Sequence, residues 1–144
     1  MDVAKKLADR LASSYLVAVE RSEHDWLFRF GNDVSLRVSC PWRILLDGRI
    51  AHGDGDHGQQ FGLPAPIDGT DRSNGLLLNK AILDVAIRED TGDLTISFCE
   101  RTALEILNLS SGYEGWQSSR MGRASSSSRQ AVESWRFGKA DSGA

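Results

Sequence analysis

Two histidines and two aspartates fall within the six residues from His52 to His57. The run reads His-Gly-Asp-Gly-Asp-His, so imidazoles and carboxylates are separated by glycines. Divalent cations accept nitrogen and oxygen ligands of this kind, and the glycines would let the chain wrap around an ion. His52, Asp54, Asp56 and His57 are therefore the candidate metal ligands, and their chemistry would be metal binding or metal-assisted catalysis.

The rest of the sequence argues against a metal centre. The order is similar to the H-x-H-x-D-H ligand run of metallo-β-lactamase-like hydrolases, but Asp54 replaces the middle histidine of that run. The only other histidine is His24, upstream in a polar turn. The run also lacks the later oxygen ligands and the closing glutamate of an EF-hand loop. We predict a solvated loop and no cofactor, and keep a metal-binding module or metal-dependent enzyme as an alternative function.

Other catalytic patterns are also incomplete. No serine lies in a Gly-x-Ser-x-Gly elbow. Gly53, Gly55 and Gly58 are not followed by the Lys-Ser or Lys-Thr of a phosphate-binding loop. The carboxylates of Glu89 and Asp90 fit a turn better than acid–base work. We predict no catalytic residues and a protein that is not an enzyme.

The composition is that of one ordinary globular domain. The chain has 144 residues, of which 40% are hydrophobic and 26% charged, with a formal net charge of -3. This balance offers no basic field for nucleic acid or anionic lipid, so neither partner is expected. The charged N-terminal sequence lacks the apolar region of a secretory signal, and we expect a cytoplasmic protein. Cys40 and Cys99 fit no metal or redox spacing, and we interpret them as small buried hydrophobes.

Periodicity predicts one helix followed mainly by strands. Val3, Leu7 and Leu11 form a helical stripe. Strands are indicated where apolar residues alternate between turn residues, whereas residues 52–74 are read as a long surface connection and Leu76–Leu78 as the start of a helix or a strand. The predicted strands are Tyr15–Val19, Trp26–Phe30, Val34–Val38, Trp42–Leu46, Arg49–Ala51, Leu83–Ile87, Leu94–Phe98 and Ala103–Leu109.

The composition changes after Gln117. Residues 118–144 are rich in serine and carry five basic against two acidic residues, a balance of +3 that leaves -6 for residues 1–117. We therefore predict a single domain over 1–117 and a flexible Ser/Arg-rich segment over 118–144 with a possible docking element at its end. Trp135 and Phe137 suggest that this end folds back, and with Trp116 they make a structural homodimer a further alternative.

Residues 40–117 contain a recognisable series of short motifs. They are Cys40-Pro41-Trp42-Arg43, the later Asp56, the hairpin Thr91–Phe98, Leu104-Glu105-Ile106 and Ser110-Ser111-Gly112-Tyr113-Glu114-Gly115-Trp116-Gln117. Together they resemble a family of small bacterial domains of unknown function with a YE-x-W motif, related to candidate immunity proteins of toxin systems. The resemblance covers about residues 26–117, and this chain departs from the pattern after Trp116, where such domains continue into a last strand.

The resemblance implies a compact, mainly antiparallel domain with a helix at its start, and the family itself supplies no established activity. The binding candidates are Trp42, Arg43, Tyr113, Glu114 and Trp116, and Arg43 could stack on Trp42 or pair with Glu114. We therefore predict an α+β fold, mainly an antiparallel sheet that is curled or forms a partial barrel, with an N-terminal amphipathic helix. The predicted function is a non-enzymatic interaction protein, of the immunity type, that binds a toxin, another protein partner or a second copy of itself.

Overall fold

The computed structural model describes residues 3–111, 115–121 and 132–137. Within them the chain forms two helices and ten strands. Their bounds are α1 Val3–Leu11, β1 Leu16–Arg21, β2 Trp26–Phe30, β3 Val34–Val38, β4 Trp42–Leu46, β5 Arg49–Gly53, α2 Gly69–Leu77, β6 Ile82–Ile87, β7 Leu94–Phe98, β8 Thr102–Ile106, β9 Trp116–Met121 and β10 Val132–Phe137. A one-turn 3₁₀ helix, Asp54–Asp56, follows β5.

The predicted α+β class with antiparallel strands and an N-terminal helix is confirmed. One five-stranded sheet has the order β1-β2-β3-β9-β10, and the other has the order β5-β4-β8-β7-β6. Two isolated bridges, Tyr15 to Ala81 and Leu16 to Leu78, join β1 to the segment that leads into β6. The strands therefore curl around one core without closing into a barrel.

Alternation of side chains explains why these segments form strands. In β3, Val34, Leu36 and Val38 are buried, while the residues between them face outward. In β7, Leu94 and Phe98 are buried in the same way. Because side chains alternate between the two faces of a strand, each sheet buries one face, and both buried faces share a single core with α1.

Three predictions about local structure need correction. The surface connection over 52–74 contains the 3₁₀ helix and most of α2. Asp68 starts α2 because its carboxylate accepts hydrogen bonds from the backbone N–H groups of Thr70 and Asp71. The leucine run ends this helix rather than opening a strand, with Leu77 buried in the core. The predicted strand over 103–109 ends earlier, at Ile106.

The sheet extends beyond the predicted domain boundary at residue 117. That boundary falls inside β9, which pairs with β3 on one side and with β10 on the other. Hydrophobic periodicity does not indicate this strand, because a fully buried position in it is occupied by serine, Ser118. The other residues of the predicted flexible segment lie outside the described ranges. No helix in the described ranges is long and apolar enough to cross a membrane.

Candidate functional site

The His/Asp run forms the base of an exposed loop. His52 is the fourth residue of β5, and its side chain is fully buried. Asp54 and Asp56 lie in the 3₁₀ helix that follows, and His57 comes directly after it. The chain then makes an exposed excursion over residues 59–66, which we call the 59–66 loop, before it enters α2.

Three of the four polar side chains in this run hold backbone groups. The Asp54 carboxylate accepts a hydrogen bond from the Trp42 backbone N–H at 3.4 Å, and the Asp56 carboxylate accepts one from Gly53 N–H at 3.0 Å. His57 Nδ1 accepts a hydrogen bond from the backbone N–H of Gly69, at the first residue of α2, at 2.9 Å. The run therefore fixes the 3₁₀ helix to β4 and the end of the loop to α2.

The geometry does not bring the four candidate metal ligands together. Among the described residues, no group of three or more histidine, cysteine, aspartate or glutamate side chains is arranged to hold a metal ion. His52 Nδ1 and Asp56 Oδ2 lie 4.0 Å apart. Since Asp54, Asp56 and His57 already bind backbone N–H groups, their placement is explained without a metal.

His52 is the unusual member of the run. Its two ring nitrogens and the nearby Trp42 Nε1 are buried and have no hydrogen-bond partner among the described residues. The His52 and Trp42 rings lie 5.6 Å apart, centre to centre. Burial lowers the pKa of His52, and the neighbouring Asp56 carboxylate opposes this change only partly. Burial therefore favours the neutral form of this core imidazole.

Backbone hydrogen bonds close the 59–66 loop at its neck. The Gly58 N–H donates to the Ile67 carbonyl, and the Ile67 N–H donates to the Gln59 carbonyl, both at 2.8 Å. Ile67 is itself buried, with 7% of its surface exposed. At the tip, the Leu63 N–H donates to the Gln60 carbonyl at 2.7 Å. The loop is therefore a defined structure with an anchored base, although every residue from 59 to 66 is exposed.

The tip of this loop exposes an aromatic side chain in an unfavourable backbone conformation. Phe61 has a φ of 47° and the following Gly62 a φ of 78°. Positive φ at both central positions is typical of a type I′ turn, which favours Asn, Asp or Gly over a bulky residue. The left-handed region costs an ordinary residue roughly 1–2 kcal/mol. Phe61 nevertheless leaves 67% of its surface in solvent, and Leu63 leaves 41%.

The charge around the loop is negative. Residues 52–74 contain four aspartates and a single arginine, a formal balance of -3 with the histidines neutral. Asp68 and Asp71, which follow the loop, are both exposed. The loop itself, residues 59–66, has no charged residue. An uncharged apolar tip thus stands on an acidic base, an arrangement that resembles the apolar centre and polar rim of a protein interface.

The structure separates the predicted binding residues. Trp42 and Trp116 are each 1% exposed, and the Trp116 indole N–H donates to the Gly92 carbonyl at 2.8 Å. Their proposed place on a binding surface is thus corrected, because both indoles lie in the core. Tyr113 and Glu114 lie outside the described residues.

Arg43 is the one predicted binding residue whose side chain the structure places at the surface. Its Nε atom lies 2.7 Å from Glu105 Oε1 on the neighbouring strand β8, so its partner in the structure is Glu105. The suggested partner Glu114 is outside the described ranges. Trp42 and Ile44, which precede and follow Arg43 in β4, are buried, so Arg43 lies on the outward face of the sheet.

Sequence reasoning missed Phe61. A single phenylalanine in a polar segment has no periodic pattern, and its positive φ depends on the hydrogen bonds that close the loop. The available signal was the sequence Phe-Gly-Leu-Pro-Ala-Pro, an apolar stretch within a segment predicted to be exposed.

Comparisons with protein-family models, curated proteins and solved structures find no match for this chain.

Proposed function

We propose that this protein is a non-enzymatic interaction protein of the immunity type, which binds a basic protein partner such as a bacterial toxin through the 59–66 loop. The observation that carries the proposal is Phe61. Its backbone is strained, yet two thirds of its surface remains in solvent, so folding gains little from this side chain. Strain held at an exposed apolar residue is a frequent feature of binding sites, where the partner supplies the missing burial.

The anchored base of the loop supports the same function. Binding costs less free energy when the contacting segment is already ordered, because fewer backbone and side-chain rotations are lost on association. The bonds from His57 to Gly69 and between Gly58 and Ile67 provide this order on both sides of the loop. An aromatic anchor presented in this way has the properties of an interface hot spot.

Charge supports a basic partner. Residues 1–117 carry a net charge of -6, and half of that lies in residues 52–74. Complementary charge at the rim of an interface accelerates association and rejects acidic proteins. The partner that fits this surface has an apolar pocket for Phe61 and a positively charged rim.

The experiment compares one loop variant with one matched surface variant. Phe61→Asn removes the aromatic ring and places a residue that tolerates positive φ at the same position. Leu83→Asn removes an equally exposed apolar side chain, 69% exposed, from β6. Partners captured from the native host by the wild type are identified, purified and titrated calorimetrically against all three proteins. We expect Phe61→Asn to weaken binding by about thirtyfold or more, as for a hot spot, and Leu83→Asn by less than about twofold.

Two results would contradict this proposal. Equal affinity of the purified partner for the wild type and for Phe61→Asn would remove the loop from the interface. Recovery of no stable partner, together with turnover of a substrate by the purified protein, would overturn the interaction function itself. A salt titration adds a check, since a basic partner must associate more slowly as ionic strength rises.

A further inference from the structure

The outward face of the second sheet contains a cavity of about 350 Å³ that the loop does not touch. Its lining comes from strands β4, β6, β7 and β8 and from the turn between β6 and β7. Arg43, Glu105, Thr95 and Ala86 are consecutive register partners across these four strands, so they form one row on the outward face. Arg43 and Glu105 are only partly exposed within this row.

Arg43 and Glu105 are joined by a single hydrogen bond, which leaves other polar atoms of both side chains available. Arg43 uses Nε to reach Glu105 Oε1 at 2.7 Å, and its Nη1 and Nη2 atoms make no hydrogen bond to the described residues. Glu105 Oε2 is likewise without a bond there. The side chains are 40% and 25% exposed, respectively. The pair thus offers a fork of N–H donors beside one free carboxylate oxygen, in a partly desolvated setting where charged hydrogen bonds are strong.

A second pair of opposite charges, Arg88 and Asp93, also lines the cavity. Asp93 accepts the Asn108 backbone N–H through Oδ1 at 2.9 Å, which leaves Oδ2 without a partner among the described residues. Arg88 Nε lies 2.8 Å from Asp90 Oδ1. The four charged groups of the lining, Arg43, Arg88, Asp93 and Glu105, therefore sum to zero. The remaining surface includes the apolar side chains of Ala86 and Leu107.

We propose that this cavity binds a free α-amino acid with an aliphatic side chain. The ligand carboxylate accepts hydrogen bonds from Arg43 Nη1 and Nη2, and the ligand ammonium donates to Glu105 Oε2. The side chain lies against Ala86 and Leu107. A lining of zero net charge with both signs close together suits a zwitterion, because a simple anion would meet Glu105 and a simple cation would meet Arg43. The volume is within the range of small-molecule sites.

The probe is L-leucine, with two relatives that each lack one charge. N-acetyl-L-leucine has no ammonium group, and L-leucinamide has no carboxylate. Titrations of the ¹⁵N-labelled full chain, followed by amide chemical shifts, give the dissociation constants. We expect saturable shifts at Thr95 and Glu105 with leucine, and at least about tenfold weaker binding of both relatives, because each loses a charge-assisted hydrogen bond.

Matched variants locate the binding. Arg43→Gln removes the guanidinium and is expected to weaken leucine binding at least tenfold. Arg29→Gln is the control, since Arg29 forms a similar exposed pair with Glu20, at 2.9 Å, on the other sheet. Its affinity for leucine is expected to equal that of the wild type. Amide spectra of both variants without ligand establish that they remain folded.

Three outcomes would overturn the proposal. Leucine could give no saturable shifts at millimolar concentrations, all three compounds could bind with equal affinity, or Arg43→Gln could bind leucine as well as the wild type does. Each of these results removes the paired charges from recognition. None of them bears on the 59–66 loop, since these titrations need no protein partner.

Discussion

Acidification is expected to destabilise the fold through His52. The imidazole is fully buried and has no hydrogen-bond partner among the described residues, so a proton on it would place a poorly solvated charge beside Trp42. Burial accordingly lowers the pKa of His52 below its ordinary value of 6.5. Asp56, 4.0 Å away, favours the charged form but does not overcome the effect of burial.

Proton linkage gives the sign and the slope of the change in the free energy of unfolding with pH. In the unfolded chain His52 takes up its proton near pH 6.5, whereas in the folded protein it does so only at lower pH. Above the pKa of His52 in the unfolded chain, the imidazole is neutral in both states, and the protein keeps the full stability that depends on this group. As the pH falls between the two values, the free energy of unfolding drops by about 1.4 kcal/mol per pH unit for this single group. A domain stable by about 5–15 kcal/mol would lose a measurable share within one unit.

Urea unfolding followed by tryptophan fluorescence measures this loss. The titration runs from about pH 7.5 to about pH 5.5, where most carboxylates remain ionised. We expect the wild type to lose stability below about pH 6.5 and His52→Leu, which keeps the site apolar and removes the titrating group, to show a much smaller slope. His24→Gln is the control because His24 is exposed, with 87% of its side chain in solvent, and it should retain the wild-type slope.

One result would refute this account of His52. If His52→Leu loses stability with acid as steeply as the wild type does, other groups cause the acid sensitivity. A wild type whose stability is constant over the whole range would also refute it, because His52 would then be protonated equally easily in both states.

Two further changes test the local geometry. Gly69→Ala is expected to destabilise the protein by about 1–3 kcal/mol in thermal unfolding, because the added Cβ would lie 2.8 Å from the Trp26 ring and 3.1 Å from His57 Nδ1. Gly75→Ala in the same helix has no atom within 4 Å and should stabilise by about 0.5–1 kcal/mol, so a loss there would contradict the reasoning. Cys40 and Cys99 are partly exposed, not fully buried as the sequence suggested. Partial burial still raises the pKa of the Cys40 thiol to about 12, so a disulfide reagent at about pH 8 should modify it more slowly in the native protein than after urea unfolding. Equal rates in the two states, measured against Cys40→Ser, would show that burial does not protect this thiol.

The strands were predictable because apolar and polar residues alternate along them in the sequence. Leu94, Ile96 and Phe98 alternate with polar residues, and a sheet with one buried face requires that period. The Asp47-Gly48 turn was equally clear, since both residues adopt the positive φ that a two-residue hairpin needs. Strand alternation and turn residues depend only on residues that are close in sequence, so one sequence is enough to predict them.

Helix α2 and strand β9 could not be found in the same way. The buried positions of α2 are Gly69, Ser73 and Leu77, and two of these are too small or too polar to mark an apolar stripe. Close packing against Trp26 and His57 requires the small residue at position 69. Ser118 is likewise a buried polar residue in β9. Where the core admits only small side chains, hydrophobic periodicity gives no signal, and tertiary contacts decide the structure.

The candidate site was half predictable. The polarity of the run from His52 to His57 was visible in the sequence, but its purpose depends on which atoms the side chains reach. Three of them bind backbone N–H groups at Trp42, Gly53 and Gly69. Only the bond between Asp56 and Gly53, three residues apart at the start of the 3₁₀ helix, is local enough for sequence spacing to imply it. Phe61 shows the reverse case, because its chemistry is ordinary and only its backbone angle and exposure distinguish it.

These two halves of the site depend on each other. An exposed loop can retain a strained residue at its tip only if the surrounding structure prevents the backbone from relaxing. Here the restraint comes from the ends of the loop, where Asp56 fixes the 3₁₀ helix, His57 holds the start of α2, and Ile67 is buried. Weakening any of these contacts should therefore relax Phe61 without touching it. If the 59–66 loop binds a partner as proposed, the polar run contributes by positioning this loop, and His57→Ala should reduce partner affinity in the same calorimetric titration although His57 is outside the loop.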